Sequence, residues 1–244
     1  MKELTKAAAL LAVFLPVQAL AQPGPPSDQA IRDWIMANPE VIISSLQNHE
    51  AKQRQVESDR QGQTALALRA EIVHEAPLLG NPDGSFEIMM FSDYRCPHCR
   101  RTHAAVAEFL ARHDDTRVSV REWPILGEAS ILGARYALAI NQVLGQKAYE
   151  AASERIFTAG QQLGQEWIDA DLRGLGDRSD EVQAAMATKD GWITGHLARG
   201  GELAQTIGIN GTPFLIVGET VVAGAATLEE LEEIHARETA IKQR

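Results

Sequence analysis

The stretch Phe91-Ser92-Asp93-Tyr94-Arg95-Cys96-Pro97-His98-Cys99-Arg100 contains both cysteines of the 244-residue chain. The apolar run 88–91 before the cysteines predicts a short buried strand, and residues 100–110 after them carry apolar side chains at helical spacing. Pro97 suits the first turn of a helix, because its missing N–H would have no partner there. The two sulfurs are therefore expected where a strand ends and a helix begins.

The start of a helix stabilises a thiolate, because unsatisfied backbone N–H groups and the positive end of the helix dipole point toward it. Cysteines in such places have pKa values of about 3.5–7.5. We expect Cys96 to lie on the exposed lip and act as the nucleophile, with Cys99 one turn inside as the resolving thiol. His98 could donate a hydrogen bond to the Cys96 sulfur and lower its pKa further.

Other roles for the cysteine pair compete with redox chemistry. A structural disulfide across two intervening residues closes almost no loop, so it would stabilise little. A zinc site needs further ligands, and His103 completes a conceivable set with Cys96 and Cys99 on one helix face. Inert buried cysteines are disfavoured beside a proline, a histidine and three arginines. The favoured interpretation is a redox dithiol without a bound metal.

A strand, a Cys-Pro-His-Cys motif, a helix and a late Gly211-Thr212-Pro213-Phe214 together resemble the DsbA branch of the thioredoxin superfamily. Residues 91–94 and the long N-terminal segment look more like the ScsC-type (suppressor of copper sensitivity) disulfide isomerases. The order of motifs extends this resemblance over residues 77–240. It implies an α/β thioredoxin fold with a helical-domain insertion, and a redox-active centre that uses no cofactor.

The resemblance also implies the residues of the site. Cys96, Pro97, His98 and Cys99 are the candidate catalytic residues. In the resembled family the peptide bond before the residue at Pro213 is cis and faces the dithiol, so Thr212 and Pro213 are the candidate substrate-binding residues. A proline there has no N–H to donate, and the Thr212 backbone is left free to pair with an extended substrate.

Acidic residues near the motif have open roles. Glu87 and Glu122 lie on predicted strands, and either could supply the buried carboxylate that deprotonates the resolving thiol. The sequence does not show on which face of the sheet each glutamate side chain lies. Asp93 could be a proton acceptor or a simple turn residue.

The N-terminus has the features of a cleaved signal peptide at residues 1–21. Lys2 and Lys6 are followed by an apolar run at 7–17 and by Ala19-Leu20-Ala21. The run is too short to cross a membrane comfortably. Export would place the protein in the periplasm, an oxidising compartment. A net charge of −10 disfavours nucleic acid as a partner.

Residues 22–63 are expected to form a helical oligomerisation arm and linker. Apolar side chains between Ile31 and Leu46 recur at helical spacing, and the stretch 47–63 is almost wholly polar and reads as an exposed helix or a flexible helical linker. A short apolar helix pair cannot bury its stripe alone, so it packs either on the catalytic domain or on copies of itself. The polar spacer favours packing between copies of the chain, which predicts a homodimer or homotrimer.

Residues 64–244 are expected to form the DsbA-like domain. An edge strand at 77–80 and a turn at 81–84 precede strands at 86–91 and 117–122, which flank a helix and so predict a parallel βαβ unit. No strand pattern is found from about 128 to 207, where the helical insertion is expected. A hairpin at 214–223 and a final helix capped by Thr227 complete the domain.

The sequence thus predicts periplasmic thiol–disulfide exchange on exported, cysteine-containing proteins, by an oligomeric disulfide isomerase. A membrane redox partner, either a reductase or a quinone-linked oxidase, would recycle the dithiol. Two alternatives stay open. One is a DsbA-type oxidase that donates disulfides, and the other is a periplasmic copper-binding or copper-tolerance protein that uses the same cysteines.

Overall fold

A computed structural model describes residues 26–188 and 191–242 of the chain. The predicted signal peptide at 1–21 lies outside these residues. The chain divides into two compact units, Met1–Ala51 and Lys52–Arg244. In the described residues no helix is both long and apolar enough to cross a membrane.

The first unit contains α1 (Asp28–Ala37) and the beginning of α2 (Pro39–Ala67). The Ser27 hydroxyl caps α1 by accepting from the Ala30 N–H at 3.2 Å. Pro39 begins α2, where its missing N–H has no cost. α1 buries none of its residues. Ile35 is half-buried, and the other large apolar side chains of α1 and of the start of α2 are exposed: Ile31, Trp34, Met36, Val41, Ile42, Ile43 and Leu46.

The polar stretch 47–63, expected to be an exposed helix or a flexible linker, is part of α2, which is continuous over 29 residues. Within the second unit, α2 docks through its last turns. Gln61 donates to the Gly208 carbonyl at 2.7 Å, and Arg60 donates to the Ile207 carbonyl at 3.2 Å. Gly62 and Ala65 are buried there. The second unit therefore begins at Lys52, before the boundary at 64 expected from the sequence.

A five-stranded sheet with the order β1-β3-β2-β4-β5 organises the second unit. Strands β2 and β3 are parallel, and every other pair is antiparallel. β2 lies in the centre and all seven of its residues are buried, as the run of apolar residues indicates. The strands are β1 (Leu78–Gly80), β2 (Phe86–Ser92), β3 (Thr116–Glu122), β4 (Phe214–Val217) and β5 (Thr220–Ala223).

Helix α4 (Pro97–Leu110) connects β2 to β3, so the predicted parallel βαβ unit is confirmed. The predicted helical insertion is confirmed too. It runs from Glu128 to Ile207, between β3 and β4. The remaining helices are α3 (Arg69–Val73), α5 (Glu128–Leu144), α6 (Gln146–Ala159), α7 (Gln165–Arg173), α8 (Ser179–Ala187), α9 (Trp192–Ile207) and α10 (Leu228–Lys242).

The two faces of the sheet pack into separate hydrophobic clusters, because successive side chains of a strand point to opposite faces. Ile88 and Met90 of β2 join the larger cluster with residues of α4, α5, α6 and α10. Met89 and Phe91 join the smaller one with residues of α2, α3 and α9. Thus the N-terminal part of the second unit covers one face together with α9, and α4, α5, α6 and α10 cover the other.

Candidate active site

The dithiol lies at the junction of β2 and α4. Cys96 is the N-cap residue of α4, and Pro97 occupies the first turn. The Cys96 N–H donates to the Asp93 carbonyl at 3.1 Å, and the Arg100 N–H donates to the Cys96 carbonyl at 3.1 Å. Both cysteines are free thiols. The sulfurs therefore stand at the start of the helix, as the motif predicts.

Cys96 is not on an exposed lip, which corrects the expectation from sequence. It is 5% exposed and Cys99 is 1% exposed. The cause is the loop before β4, since the Cys96 Sγ donates to the Thr212 carbonyl at 3.3 Å. The Thr212–Pro213 bond is cis, as the family resemblance implies. The predicted catalytic and substrate-binding residues are thus brought together by a contact between segments 116 residues apart.

The two thiols have different surroundings. Burial raises the pKa of the Cys99 thiol to about 12, although hydrogen bonds from the Thr212 side chain and the Asp93 backbone act in the opposite direction. Cys99 consequently keeps its proton at neutral pH. Cys96 is therefore the sulfur available for the first attack, and Cys99 needs a proton acceptor before it can react.

His98 is exposed, and its Nδ1 lies 2.8 Å from Arg101 Nη2. The structure therefore pairs His98 with Arg101 rather than with Cys96, and the predicted hydrogen bond to the sulfur is not seen among the described contacts. The nearby Arg95 binds the helical insertion instead. Its guanidinium donates to the carbonyls of Gly160 and Gln161 at 3.0 and 3.1 Å.

Asp93 organises the loops around the dithiol, a role that exceeds that of a turn residue. Its side chain is 1% exposed. One oxygen accepts from the Arg95 N–H at 2.7 Å and the Ser130 hydroxyl at 2.8 Å. The other accepts from the N–H groups of Ile125 and Leu126 at 2.7 and 3.0 Å. This carboxylate therefore holds the loop after β3 against the cysteine motif.

The loop that Asp93 holds carries an apolar surface. The side chains of Ile125 and Leu126 are 42% and 51% exposed. Ile131, in the first turn of α5, is 44% exposed. Exposed apolar side chains next to a reactive centre are suited to contact unfolded protein segments.

The structure distinguishes the two candidate carboxylates. Glu87 lies near the start of β2 and forms ion pairs with Arg69 at 2.6 Å and Arg117 at 2.8 Å. Glu122 lies at the end of β3, in register with Ser92, four residues before Cys96. Because β2 and β3 are parallel, Glu122 is at the dithiol end of the sheet and Glu87 is at the far end.

Glu122 is 1% exposed, and burial raises its pKa to about 7. The hydroxyls of Tyr94 and Tyr149 donate to its Oε1 at 2.8 and 2.7 Å. Burial also raises the pKa of both tyrosines, so they remain protonated donors. A small cavity of about 10 Å³ borders this group, and Ser153 and His103 also line it. A carboxyl group that titrates near neutral pH can take up and release a proton.

The conceivable metal set of Cys96, Cys99 and His103 does not come together. In the described residues these side chains are not grouped as metal ligands. His103 Nε2 lies 3.0 Å from Glu154 Oε2, and burial lowers the pKa of the ring. His103 thus belongs to the packing between α4 and α6, where its ring lies 4.7 Å from that of Phe157.

The sequence did not identify Tyr94 and Tyr149 as partners of Glu122, nor Ser153 as the partner of the Tyr94 hydroxyl. Tyr94 lies inside the motif, but the other two come from α6 in the insertion. The contacts of Tyr149 with Glu122 and of Ser153 with Tyr94 depend on tertiary packing. Tyr94, just before the cysteines, was the one feature of the sequence that could have indicated this group.

Comparison with known proteins gives a family. Residues 73–235 match the family model described as Thioredoxin. Disulfide bond formation protein D of Bacillus subtilis (strain 168) is 23% identical over 189 residues, which cover 73% of this chain and 83% of that protein.

Solved structures share the fold. A thioredoxin-like oxidoreductase from Silicibacter pomeroyi is 33% identical, with a TM-score of 0.61, covering 70% of this chain and 98% of that one. Proteus mirabilis ScsC in a transitional conformation is 22% identical, with a TM-score of 0.65, covering 86% and 94%. The chain belongs to the thioredoxin family, with a DsbA-like fold that it shares with ScsC.

Proposed function

We propose that this protein is an oligomeric protein disulfide isomerase that acts on exported, cysteine-containing proteins in the periplasm. The observation that carries the exchange chemistry is the Cys96 thiol at the start of α4, in contact with the Thr212 carbonyl beside a cis proline. The relatives named for disulfide bond formation and as ScsC support the exchange of disulfides. Export follows from the signal-peptide pattern at residues 1–21.

The exchange begins when the Cys96 thiolate attacks one sulfur of a substrate disulfide. A bond forms between Cys96 and that sulfur, and the other substrate sulfur leaves as a thiolate. In isomerisation, substrate thiolates can first exchange with neighbouring substrate disulfides. A substrate thiolate then attacks the substrate sulfur of the mixed disulfide, a substrate disulfide forms, and Cys96 leaves as a thiolate. No net oxidation occurs, so the dithiol must enter the cycle reduced.

The alternative ending of the cycle uses Cys99. Its thiol loses a proton and attacks the Cys96 sulfur, which releases the substrate thiol and leaves a Cys96–Cys99 disulfide. Since the Cys99 pKa is about 12, this step needs a base. Glu122, with a pKa of about 7 at the same end of the sheet, is the acceptor we assign to this proton. A membrane redox partner then returns the pair to its working state.

Isomerisation is favoured over simple oxidation by the N-terminal unit. Its exposed apolar stripe includes Trp34 at 54% exposure and Leu46 at 58%. Such a stripe is buried when copies of the chain associate. Association would face several dithiols toward one substrate, which suits repeated reshuffling. The apolar side chains of Ile125, Leu126 and Ile131 would contact the unfolded substrate.

Ribonuclease with scrambled disulfides tests this function. The reduced protein lacking residues 1–21 should restore ribonuclease activity, and Cys96→Ala should abolish the effect. Reduced ribonuclease and the oxidised protein measure disulfide donation in parallel. Efficient donation without reactivation of scrambled ribonuclease would favour the DsbA-type oxidase. Undiminished activity in Cys96→Ala would refute dithiol chemistry altogether.

A further inference from the structure

Two histidines and an aspartate meet at the end of α4 opposite the dithiol. His113 follows α4, Asp115 precedes β3, and His235 lies on α10. One nitrogen from each ring and one Asp115 carboxylate oxygen lie within 4.8 Å of one another, the one such group found in the described residues. α4 has 14 residues and so is about 21 Å long, which separates this cluster from Cys96.

His235 supplies a nitrogen that the protein leaves without a partner. Its Nε2 is buried and makes no hydrogen bond. Its ring is fixed by packing, with centroids 4.5 Å from Phe86 and 4.2 Å from His113. A buried polar atom without a partner is costly and calls for an explanation. A bound cation would satisfy it.

His113 is oriented by a second carboxylate. Glu232 Oε2 lies 2.7 Å from His113 Nε2, and Arg112 holds the other oxygen of Glu232 at 3.5 Å. When Nε2–H donates to a carboxylate, the neutral ring carries its lone pair on Nδ1. A hydrogen-bonded carboxylate of this kind fixes the tautomer and raises the basicity of metal-ligating histidines.

The backbone beneath the cluster is held in place. The Thr116 N–H donates to the His113 carbonyl at 3.2 Å, and the Phe86 N–H donates to the Asp115 carbonyl at 3.0 Å. α10 is preceded by Ala226, whose N–H donates to the Thr102 hydroxyl of α4 at 3.0 Å. The ligand-bearing segments are therefore positioned before any ion arrives, as a binding site requires.

We propose that His113, Asp115 and His235 bind a divalent transition-metal ion such as Zn²⁺. Two imidazoles and one carboxylate are a ligand set that zinc uses, with a fourth position open to water. Tetrahedral ligands at zinc distances stand about 3.3 Å apart, so small side-chain rotations would close the cluster around an ion. Asp115 is exposed and gives the ion a path from solvent. Imidazole ligands select zinc over magnesium.

Calorimetry with Zn²⁺ tests the site on the chain lacking residues 1–21, with Cys96→Ser and Cys99→Ser included to remove the thiols. One Zn²⁺ per chain is expected, with far weaker binding of Mg²⁺. His113→Gln or His235→Gln should lower the zinc affinity by roughly 100-fold or more, and Glu232→Gln by about 10–100-fold. His74→Gln is the matched control, because His74 is exposed and distant from the cluster in sequence.

A variant at the exposed Asp115 provides a second test in case the variants of the half-buried His113 or His235 fail to fold. Asp115→Asn should fold normally by circular dichroism and still bind zinc more weakly. Absence of stoichiometric zinc binding in the thiol-free protein would overturn the proposal. So would equal affinity for magnesium, or an affinity that Asp115→Asn and His74→Gln change to the same extent.

Discussion

At the residue scale, the site depends on two buried carboxyl groups with opposite surroundings. Asp93 accepts four hydrogen bonds, three of them from backbone N–H groups. Glu122 is buried and accepts hydrogen bonds from two tyrosine hydroxyls, and burial raises its pKa to about 7. The Asp93 carboxyl group therefore fixes the geometry of the loops around the dithiol, and Glu122 can take up and release a proton.

Replacement of Asp93 by alanine should destabilise the protein strongly. Four donors would lose their acceptor, and each buried donor left unsatisfied costs about 1–3 kcal/mol. We expect a loss of at least about 3 kcal/mol in the free energy of unfolding by urea, and a matching loss of exchange activity. Asp83→Ala, at an exposed turn position, should cost less than about 0.5 kcal/mol. Equal losses in both variants would contradict this role for Asp93.

Glu122 should make stability fall as the pH rises. Its pKa is about 7 in the folded protein and 4.5 without the protein environment, so between these values the folded state binds more protons than the unfolded state. The free energy of unfolding should therefore decrease from pH 4.5 to pH 7 and level off above it, by about 3 kcal/mol from this group.

The variant Glu122→Gln isolates that contribution. The difference in unfolding free energy between the original protein and the variant should change by about 3 kcal/mol between pH 4.5 and pH 8. Glu219→Gln, an exposed position, is a control whose difference should stay flat. A flat difference for Glu122→Gln would show that this carboxyl group does not bind the extra proton.

At the scale of elements, the sequence predicts those helices and strands whose formation depends on residues close together in the chain. The buried run 86–91 and Pro97 predict β2 and α4 correctly. A strand that is buried on both faces has a continuous run of apolar residues, and the first turn of a helix accepts proline. The continuity of α2 was not predictable, since its exposed middle has no apolar stripe. The choice between Glu87 and Glu122 needed strand register, and three of the four partners of Asp93 lie more than 30 residues away in the chain.

The docking of α2 offers a test at this scale. Gln61→Ala removes the hydrogen bond to the Gly208 carbonyl at the end of α9, and we expect a cost of about 1 kcal/mol. Amide hydrogen exchange over residues 55–67 should accelerate, while exchange in β2 stays unchanged. Gln63→Ala, an exposed neighbour on the same helix, should leave both regions unaffected. Faster exchange in both variants alike would mean that Gln61 has no special role in docking.

At the scale of the whole molecule, the proposed isomerase activity requires several catalytic units to act together. Truncation should begin at Lys52, because the residues of α2 beyond it belong to the catalytic unit. A chain starting there should be monomeric by light scattering, keep its dithiol chemistry and lose reactivation of scrambled ribonuclease. An unchanged molar mass, or unchanged isomerase activity in a monomer, would contradict the proposed role of the N-terminal unit.

The central claim is that the sulfur at the head of α4 makes the first bond with substrate and that Cys99 breaks it. Incubation of reduced Cys99→Ser protein with scrambled ribonuclease, followed by acid quenching and mass spectrometry, measures this directly. The account predicts a long-lived mixed disulfide at Cys96, which is absent in Cys96→Ser and short-lived when both cysteines are present. A mixed disulfide formed equally well through Cys99, or none through Cys96, would contradict it.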